Sequence, residues 1–355
     1  VYAPALELED LTSPGIAFVG ESTATESCIA FRYAPRNTAQ ARNVSCGICW
    51  SADHTPTVED MRQDGPALDG TQPVMQVISN VLLEYGDVYK RQWYAVADVT
   101  GSVELRVSVP DAKATIDKQS ASFGGDCYVM TNAGYFYSSD HVGIAVVDSR
   151  SIGYIPDMRG SLRTQDAEYQ VMYHATRGIF GVGADGKPGV YWTGTNGSNY
   201  SVRGEAKYAG VSTSNPAKPL GWSPHYAISA GPVLLKDGKC PFDFTLTEKG
   251  TEYYLNNYEI IPYDIFGPTV SPDRTAVGHL ADGRVVLFIC DGRIAASGGA
   301  TLTQLARILR GIGCTDALNL DGGGSTGMMV GTQHVNYHSD ENRAVKSTIG
   351  FFRKK

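Results

Sequence analysis

The sequence predicts a multidomain chain in two parts: an all-β sandwich over residues 15–104, then an α/β domain with a mixed sheet over residues 105–355. Three observations carry this. Up to about residue 104 the apolar runs are short, rich in β-branched and aromatic residues, and separated by Pro, Gly, Asp and Asn, the pattern of strands joined by turns. Nearer the C-terminus, an apolar run, a helical repeat and a second apolar run follow one another over about 35 residues, the length of a strand–helix–strand unit. The chain has 355 residues with 42% apolar and 19% charged content, enough for more than one hydrophobic core.

Taken in order, residues 1–14 are acidic and without periodicity, and are expected to form a loose leader. Strands are predicted over 28–33, 44–51, 74–81 and 89–99. The stretch Leu83-Glu84-Tyr85-Gly86-Asp87-Val88-Tyr89, followed by Trp93-Tyr94-Ala95-Val96, resembles the approach to the penultimate strand of a fibronectin type III-like module, where a tyrosine braces a corner. No chemistry is visible there; Asp53, His54, Glu59 and Asp60 read as solvated loop residues.

Residues 101–110 bridge the two parts. A strand over 127–131 then delivers Asn132, followed by Ala133-Gly134. Residues 150–225 are dense in turn formers; Asp185-Gly186 and Asn196-Gly197 are hairpin signals, so an antiparallel meander is expected. One strand is predicted over 226–235, closed by a turn at Asp237-Gly238. A long loop over 241–271 holds Tyr253, Tyr254, Tyr258 and Tyr263, and loops of that size often serve function.

The C-terminal unit carries the chemistry. The apolar run 285–290 ends at Asp291-Gly292-Arg293. Thr301-Leu302-Thr303-Gln304 fits a capping box; Leu302, Leu305, Ala306 and Leu309 share a helical face; Gly311 or Gly313 supplies the stop. The next strand, 317–320, ends at Asp321, and Gly322, Gly323, Gly324, Ser325 and Thr326 follow. Two parallel strands joined by a helix put Asp291 and Asp321 at one sheet edge, where open sheets bind ligands. Three successive glycines are costly in chain entropy, and are tolerated where backbone takes positive φ or something approaches closely. A carboxylate, bare N–H groups and two hydroxyls make a site for a polar or anionic ligand. A plain glycine turn into the next strand at Met328-Met329-Val330 is the simpler alternative for this stretch alone.

Several classes are excluded. A net charge of −7 argues against general nucleic-acid binding, which needs a basic face. No apolar run reaches membrane-spanning length. The seven cysteines are scattered; Cys46 and Cys49 lie three apart in a predicted strand and so face opposite ways, which favours buried thiols over zinc. The seven histidines show no His-Glu-x-x-His pattern, and neither a metal nor another cofactor is expected. The chain opens at Val1 without a charged-then-apolar leader, as a mature or trimmed form would.

Several blocks in order, Asn132-Ala133-Gly134-Tyr135-Phe136, Ala230-Gly231-Pro232-Val233-Leu234, Arg274-Thr275-Ala276-Val277-Gly278, Asp291-Gly292-Arg293, Asn319-Leu320-Asp321-Gly322-Gly323-Gly324-Ser325 and Arg343-Ala344-Val345, resemble those of the phosphodiester glycosidase family. The resemblance spans roughly residues 105–355. It implies a hydrolase that cleaves a sugar-1-phosphodiester, such as an α-N-acetylglucosaminyl phosphodiester, to release the sugar, and an extracytoplasmic location. Asp321 would be nucleophile or base and Asp291 the acid or a positioning group, since an oxocarbenium-like transition state needs a carboxylate near the anomeric carbon. Asn132, Arg274, Arg293, Arg343, Gly322, Gly323, Gly324, Ser325 and Thr326 would bind substrate. Arginine's planar fork fits phosphate, so the three arginines are expected to converge beside the 322–324 amides and to lower the Asp321 pKa. Two other classes stay open: a non-catalytic carbohydrate- or envelope-binding protein on the same scaffold, and a metal-assisted phosphodiesterase with Asp291 and Asp321 as ligands.

Overall fold

The computed structural model describes, with side chains, residues 92–155, 177–194, 202, 204, 220–241, 259, 270–294, 297–336 and 342–355, and backbone alone for further strands, among them Gly47–Cys49, Met75–Tyr85 and Val88–Ala97 as far as residue 91. The acidic leader, the Cys46–Cys49 pair, the loop tyrosines and most of the fibronectin-like reading fall outside the side chains described.

Three antiparallel sheets share one core. The sheet that carries the helix has seven strands, in the order Val233–Leu235, Cys314–Asn319, Arg274–Leu280, Val285–Cys290, Val88–Ala97, Met75–Tyr85, Gly47–Cys49. A five-stranded sheet runs Gln333–His334, Met328–Val330, Cys127–Asn132, Thr348–Arg353, Val103–Ser108. A six-stranded sheet runs Arg150–Ile152, Ala145–Val147, Tyr226–Ala230, Arg177–Val182, Pro188–Asn196, Asn199–Arg203.

Strand periodicity explains the layering, because successive side chains point to opposite faces. Along Val285–Cys290, Val285, Leu287 and Ile289 enter the core shared with the other two sheets. Val286, Phe288 and Cys290 enter a second cluster with Leu302, Leu305, Ala306 and Leu309 of helix Leu302–Ile312. Both faces are covered, so the strand reads as an unbroken apolar run. The helix begins where the sequence places it and ends at the second of the two glycines offered as a stop. Thr301 and Gln304 cap it reciprocally, and Gly313 closes it at φ 105°.

The mixed sheet is not found: every ladder between described strands is antiparallel. The strand Arg274–Leu280 pairs with both Val285–Cys290 and Cys314–Asn319. Those two strands are therefore parallel to each other, but one strand apart. The hairpin at Asp282-Gly283, with Gly283 at φ 88°, is a turn signal of the ordinary kind, and it inserts the third strand. Asp291 and Asp321 still leave the same edge.

Two further expectations change. The 226–235 stretch is two strands, Tyr226–Ala230 in one sheet and Val233–Leu235 in another; Pro232 between them has no N–H for a ladder. The stretch 88–97, assigned from sequence to the N-terminal module, pairs from Gln92 to Ala97 with Cys290 to Val285. Trp93, Ala95 and Ala97 are buried in the shared core, so a boundary near residue 104 cuts through this sheet. The meander is present: Arg177–Val182, Pro188–Asn196 and Asn199–Arg203 pair in succession.

Candidate functional site

At the edge where Arg274–Leu280 begins and its two neighbours end, four segments meet: 272–275, 291–293, 319–327 and, from the five-stranded sheet, 132–135. Asp321 is their junction. Its N–H donates to the Ala133 carbonyl at 2.8 Å, and its own carbonyl accepts from Asn132 Nδ2 at 2.5 Å. The preceding N–H, of Leu320, donates to the Thr275 carbonyl at 2.8 Å. The backbone of the aspartate is thus fixed by two different sheets.

Its side chain is held as well. Oδ1 accepts from the Gly322 N–H at 3.1 Å. Burial pushes the carboxyl up to about 6, and the Ser325 hydroxyl, the Gly322 N–H and the Arg343 charge pull it down without prevailing. This corrects the expected lowering. Arg343 is exposed, so water screens its charge, while desolvation acts on the carboxylate directly.

The glycine segment differs from an open anion nest. The N–H groups of Gly322, Gly323, Ser325 and Thr326 donate within the protein, to Asp321 Oδ1 and to the carbonyls of Asp273, Gly322 and Gly323. Gly324, Ser325 and Thr326 are buried. The glycines instead permit close approach. A Cβ on Gly322 would lie 2.7 Å from the Asp273 carbonyl oxygen, and Gly323 sits at φ 60° beneath the Arg293 guanidinium.

Asn132 is 1% exposed. Besides holding Asp321, its Oδ1 accepts from Thr275 Oγ1 at 2.7 Å and from the Gly327 N–H at 3.3 Å. It is a scaffold amide, because the end of its strand is covered by the glycine segment. Asp291 is also fully buried, and its Oδ1 accepts from Asn336 Nδ2 at 3.3 Å. Asn336 in turn accepts from the Met328 N–H at 2.9 Å and donates to the Thr326 carbonyl at 3.3 Å. Asp291 is thereby linked, through Asn336, to the backbone that follows the three glycines.

The three arginines have different surroundings. Arg293, at φ 56°, donates from Nε to Asp273 Oδ2 at 2.9 Å and remains half-exposed. Arg343 acts on the Asp321 carboxyl through its charge. Arg274 is 1% exposed, and donates from Nε to the Ala300 carbonyl at 2.9 Å and from Nη2 to the Val270 carbonyl at 3.3 Å. Its place at a paired strand position turns it into the wall.

Sequence reasoning passed over several residues here. Tyr135 donates its hydroxyl to the Gly231 carbonyl, and the Asn319 amide donates to the same carbonyl at 2.8 Å. The Tyr135 phenol lies within reach of the charges on Arg177, Asp321 and Arg274, and burial pushes it above its usual range. Both residues sit inside blocks quoted above, so the signal was present. Asp273, buried beneath Arg293, adjoins such a block. Asn336 and Glu259 carry no local signal at all.

The phosphodiester glycosidase family model matches residues 125–352. A 67-residue stretch is 40% identical to mouse N-acetylglucosamine-1-phosphodiester alpha-N-acetylglucosaminidase, covering 19% of this chain and 13% of that protein. An 81-residue stretch is 37% identical to the SPbeta prophage-derived uncharacterized protein YomE of Bacillus subtilis, covering 22% of this chain and 13% of that protein. Each match thus spans about one eighth of the relative's length. Among solved structures, the zebrafish N-acetylglucosamine-1-phosphodiester alpha-N-acetylglucosaminidase catalytic domain, auto-inhibited by pro-peptide, is similar with a TM-score of 0.54 and 17% identity, covering 88% of this chain and 89% of that chain. At that identity the likeness is one of fold.

Proposed function

The chain belongs to the phosphodiester glycosidase family, and from that premise we propose that it hydrolyses a sugar-1-phosphodiester and releases the sugar. Asp321 carries the reading. Its backbone is fixed by two sheets, and its carboxyl titrates at about 6. At pH 7 it is mostly ionised, yet basic enough to accept a proton. A carboxylate of this kind suits an oxocarbenium-like transition state, as nucleophile or as base toward water.

The bond broken is the anomeric C–O bond. Its electron pair leaves on the phosphate oxygen, and a water hydroxyl ends on the anomeric carbon. A phosphate monoester is a better leaving group than an alcohol, so little acid assistance is required. Cations at the phosphate stabilise the charge that develops there. Arg293 and Arg343 serve that end of the substrate, with Asp273 holding Arg293 in place. Asp291, Asn132 and Asn336 keep the glycine segment in register beneath them.

The test is a panel of synthetic sugar-1-phosphodiesters, differing in sugar and in aglycone and assayed for free sugar. Release of sugar from at least one member, abolished in Asp321→Asn, supports the reading. Binding of the panel with no release by the wild type points to a carbohydrate-binding protein on this scaffold.

A further inference from the structure

The joint between the six- and seven-stranded sheets holds a carboxylate that the chemistry above does not use. Glu259 is 1% exposed. Its Oε1 accepts from the Gly178 N–H at 2.9 Å and its Oε2 from the Val233 N–H at 3.0 Å. These two donors belong to different sheets. Gly178 pairs with Ala230, the last residue of one strand, and Val233 opens the next strand after the Gly231–Pro232 crossover. Where the chain changes sheets, the two N–H groups face a gap that no strand carbonyl bridges, and one carboxylate spans it. The fit is close: a Cβ on Gly231 would lie 2.8 Å from Oε1.

The crossover so held is also the seat of the site. The Gly231 carbonyl accepts from the Tyr135 hydroxyl and the Asn319 amide, and the Pro232 carbonyl accepts from the Asn319 N–H at 3.0 Å. Asn319 stands two residues before Asp321, and Tyr135 two residues after Ala133, whose carbonyl receives the Asp321 N–H. We propose that Glu259 is a positioning residue for Asp321, acting by clamping the 230–233 crossover on which Tyr135 and Asn319 are hung.

A hydrophobic side chain of similar volume would fill the gap but leave two buried N–H groups without acceptors, at the full cost of their desolvation. An ionised carboxylate accepts one on each oxygen, whereas a Gln would set an NH2 group against one of the two N–H groups. Burial pushes the Glu259 carboxyl up to about 7, opposed by the Val233 N–H, the Trp192 indole, the Arg177 charge and the Gly178 N–H. Of the charged and titratable groups around the clamp, Arg177 comes from the six-stranded sheet, Tyr135 from the five-stranded sheet's loop, and Asp321 lies beyond Tyr135. Protonation of Glu259 turns one acceptor into an O–H that opposes an N–H, so the clamp is closed above about pH 7 and loosened below it.

The coupling is independent of turnover; its kinetic consequence rests on the hydrolase reading. The experiment therefore begins with hydrogen–deuterium exchange of wild type and Glu259→Gln at pH 8, with helix peptide 302–312 as an internal control. Exchange at least tenfold faster over 230–234 and 319–326, with the control unchanged, is expected. Unchanged exchange over 319–326 overturns the proposal, whether or not a substrate has been found. With a turned-over phosphodiester in hand, Glu259→Gln should lower kcat tenfold or more with KM within about threefold. It should also remove a limb of the pH–rate profile near 7 while leaving the limb near 6. A normal kcat with both limbs intact overturns it. Should the Gln variant fail to fold, Tyr135→Phe, which keeps the ring and removes the hydroxyl bonded to Gly231, is measured in its place. Faster exchange over 319–326 supports the proposal, and unchanged exchange there overturns it.

Discussion

Asp321 is where the competing effects on one residue can be weighed most directly. Burial raises its carboxyl to about 6 against hydrogen bonds and a nearby arginine. If the ionised form is the working form, kcat/KM should rise with pH through about 6, and level off only above about 7, where Glu259 is ionised as well. A profile flat from pH 5 to pH 8 would contradict this. Asp321→Asn is nearly isosteric and removes the charge alone, so turnover should fall at least 10²-fold, a rough lower bound for losing such a group, while substrate still binds, as read by calorimetry. The arginines act on binding instead. Charge-assisted hydrogen bonds are worth about 1.5–3 kcal/mol. Arg293 and Arg343 are open to water, so the lower end applies: Ala at either position should raise KM about tenfold. Arg274→Ala should instead lower stability, because its guanidinium is bonded to backbone carbonyls inside the wall; urea unfolding and KM measured on the same sample separate the two cases.

Among the elements, strand Cys314–Asn319 carries the site at one end and a buried ion cluster near the other. Asp316 Oδ2 lies 2.6 Å from Lys236 Nζ and 3.5 Å from His279 Nε2, and Oδ1 accepts from the Asp237 N–H at 2.7 Å. Burial works to raise the Asp316 carboxyl, but the bonds from His279, Lys236 and Asp237 outweigh it and hold it at about 2. A carboxylate whose folded pKa is depressed gives stability that is present above its unfolded value near 4 and lost as pH falls toward 2. The size is on the order of 2 kcal/mol. Melting curves of wild type and Asp316→Asn should thus differ clearly at pH 7 and draw together as pH falls through about 2. Helix Leu302–Ile312 was legible from its cap to within two residues of its end, because capping and amphipathic spacing are local. The insertion of Arg274–Leu280 between two parallel strands was not, because it is a choice of partner between distant segments. The same holds for the site: Asp321 and its glycines could be read from the chain. That Asn132 would be used up on Asp321, or that burial would prevail over an arginine, depends on what packs above them.

Among the described residues, the three largest sheets share one core, and their junctions decide what can be cut away. A boundary near residue 104 follows the change in sequence pattern, from strands alone to strands with a helix. The hydrogen bonding ignores that change. Gln92 to Ala97 pair with Cys290 to Val285, and Met75–Tyr85 pairs in turn with Val88–Ala97. Trp93 is 2% exposed, and Val285, Leu287 and Ile289 are fully covered in the same cluster. Removing residues 1–104 would strip one neighbour from the strand that ends at Asp291 and leave its N–H and C=O groups on that side as an open edge. It would also take a fully buried tryptophan from the core, a loss of about 3–5 kcal/mol by analogy with Trp→Ala in a core. That is a large part of the 5–15 kcal/mol by which a domain is stable. A chain of residues 105–355 should accordingly aggregate or melt without a cooperative transition, whereas one of residues 75–355, which keeps both strands, should melt cooperatively. Equal melting temperatures for the two would mean that the 88–97 strand adds nothing to the sheet bearing Asp291 and Asp321, and the boundary read from the sequence would stand.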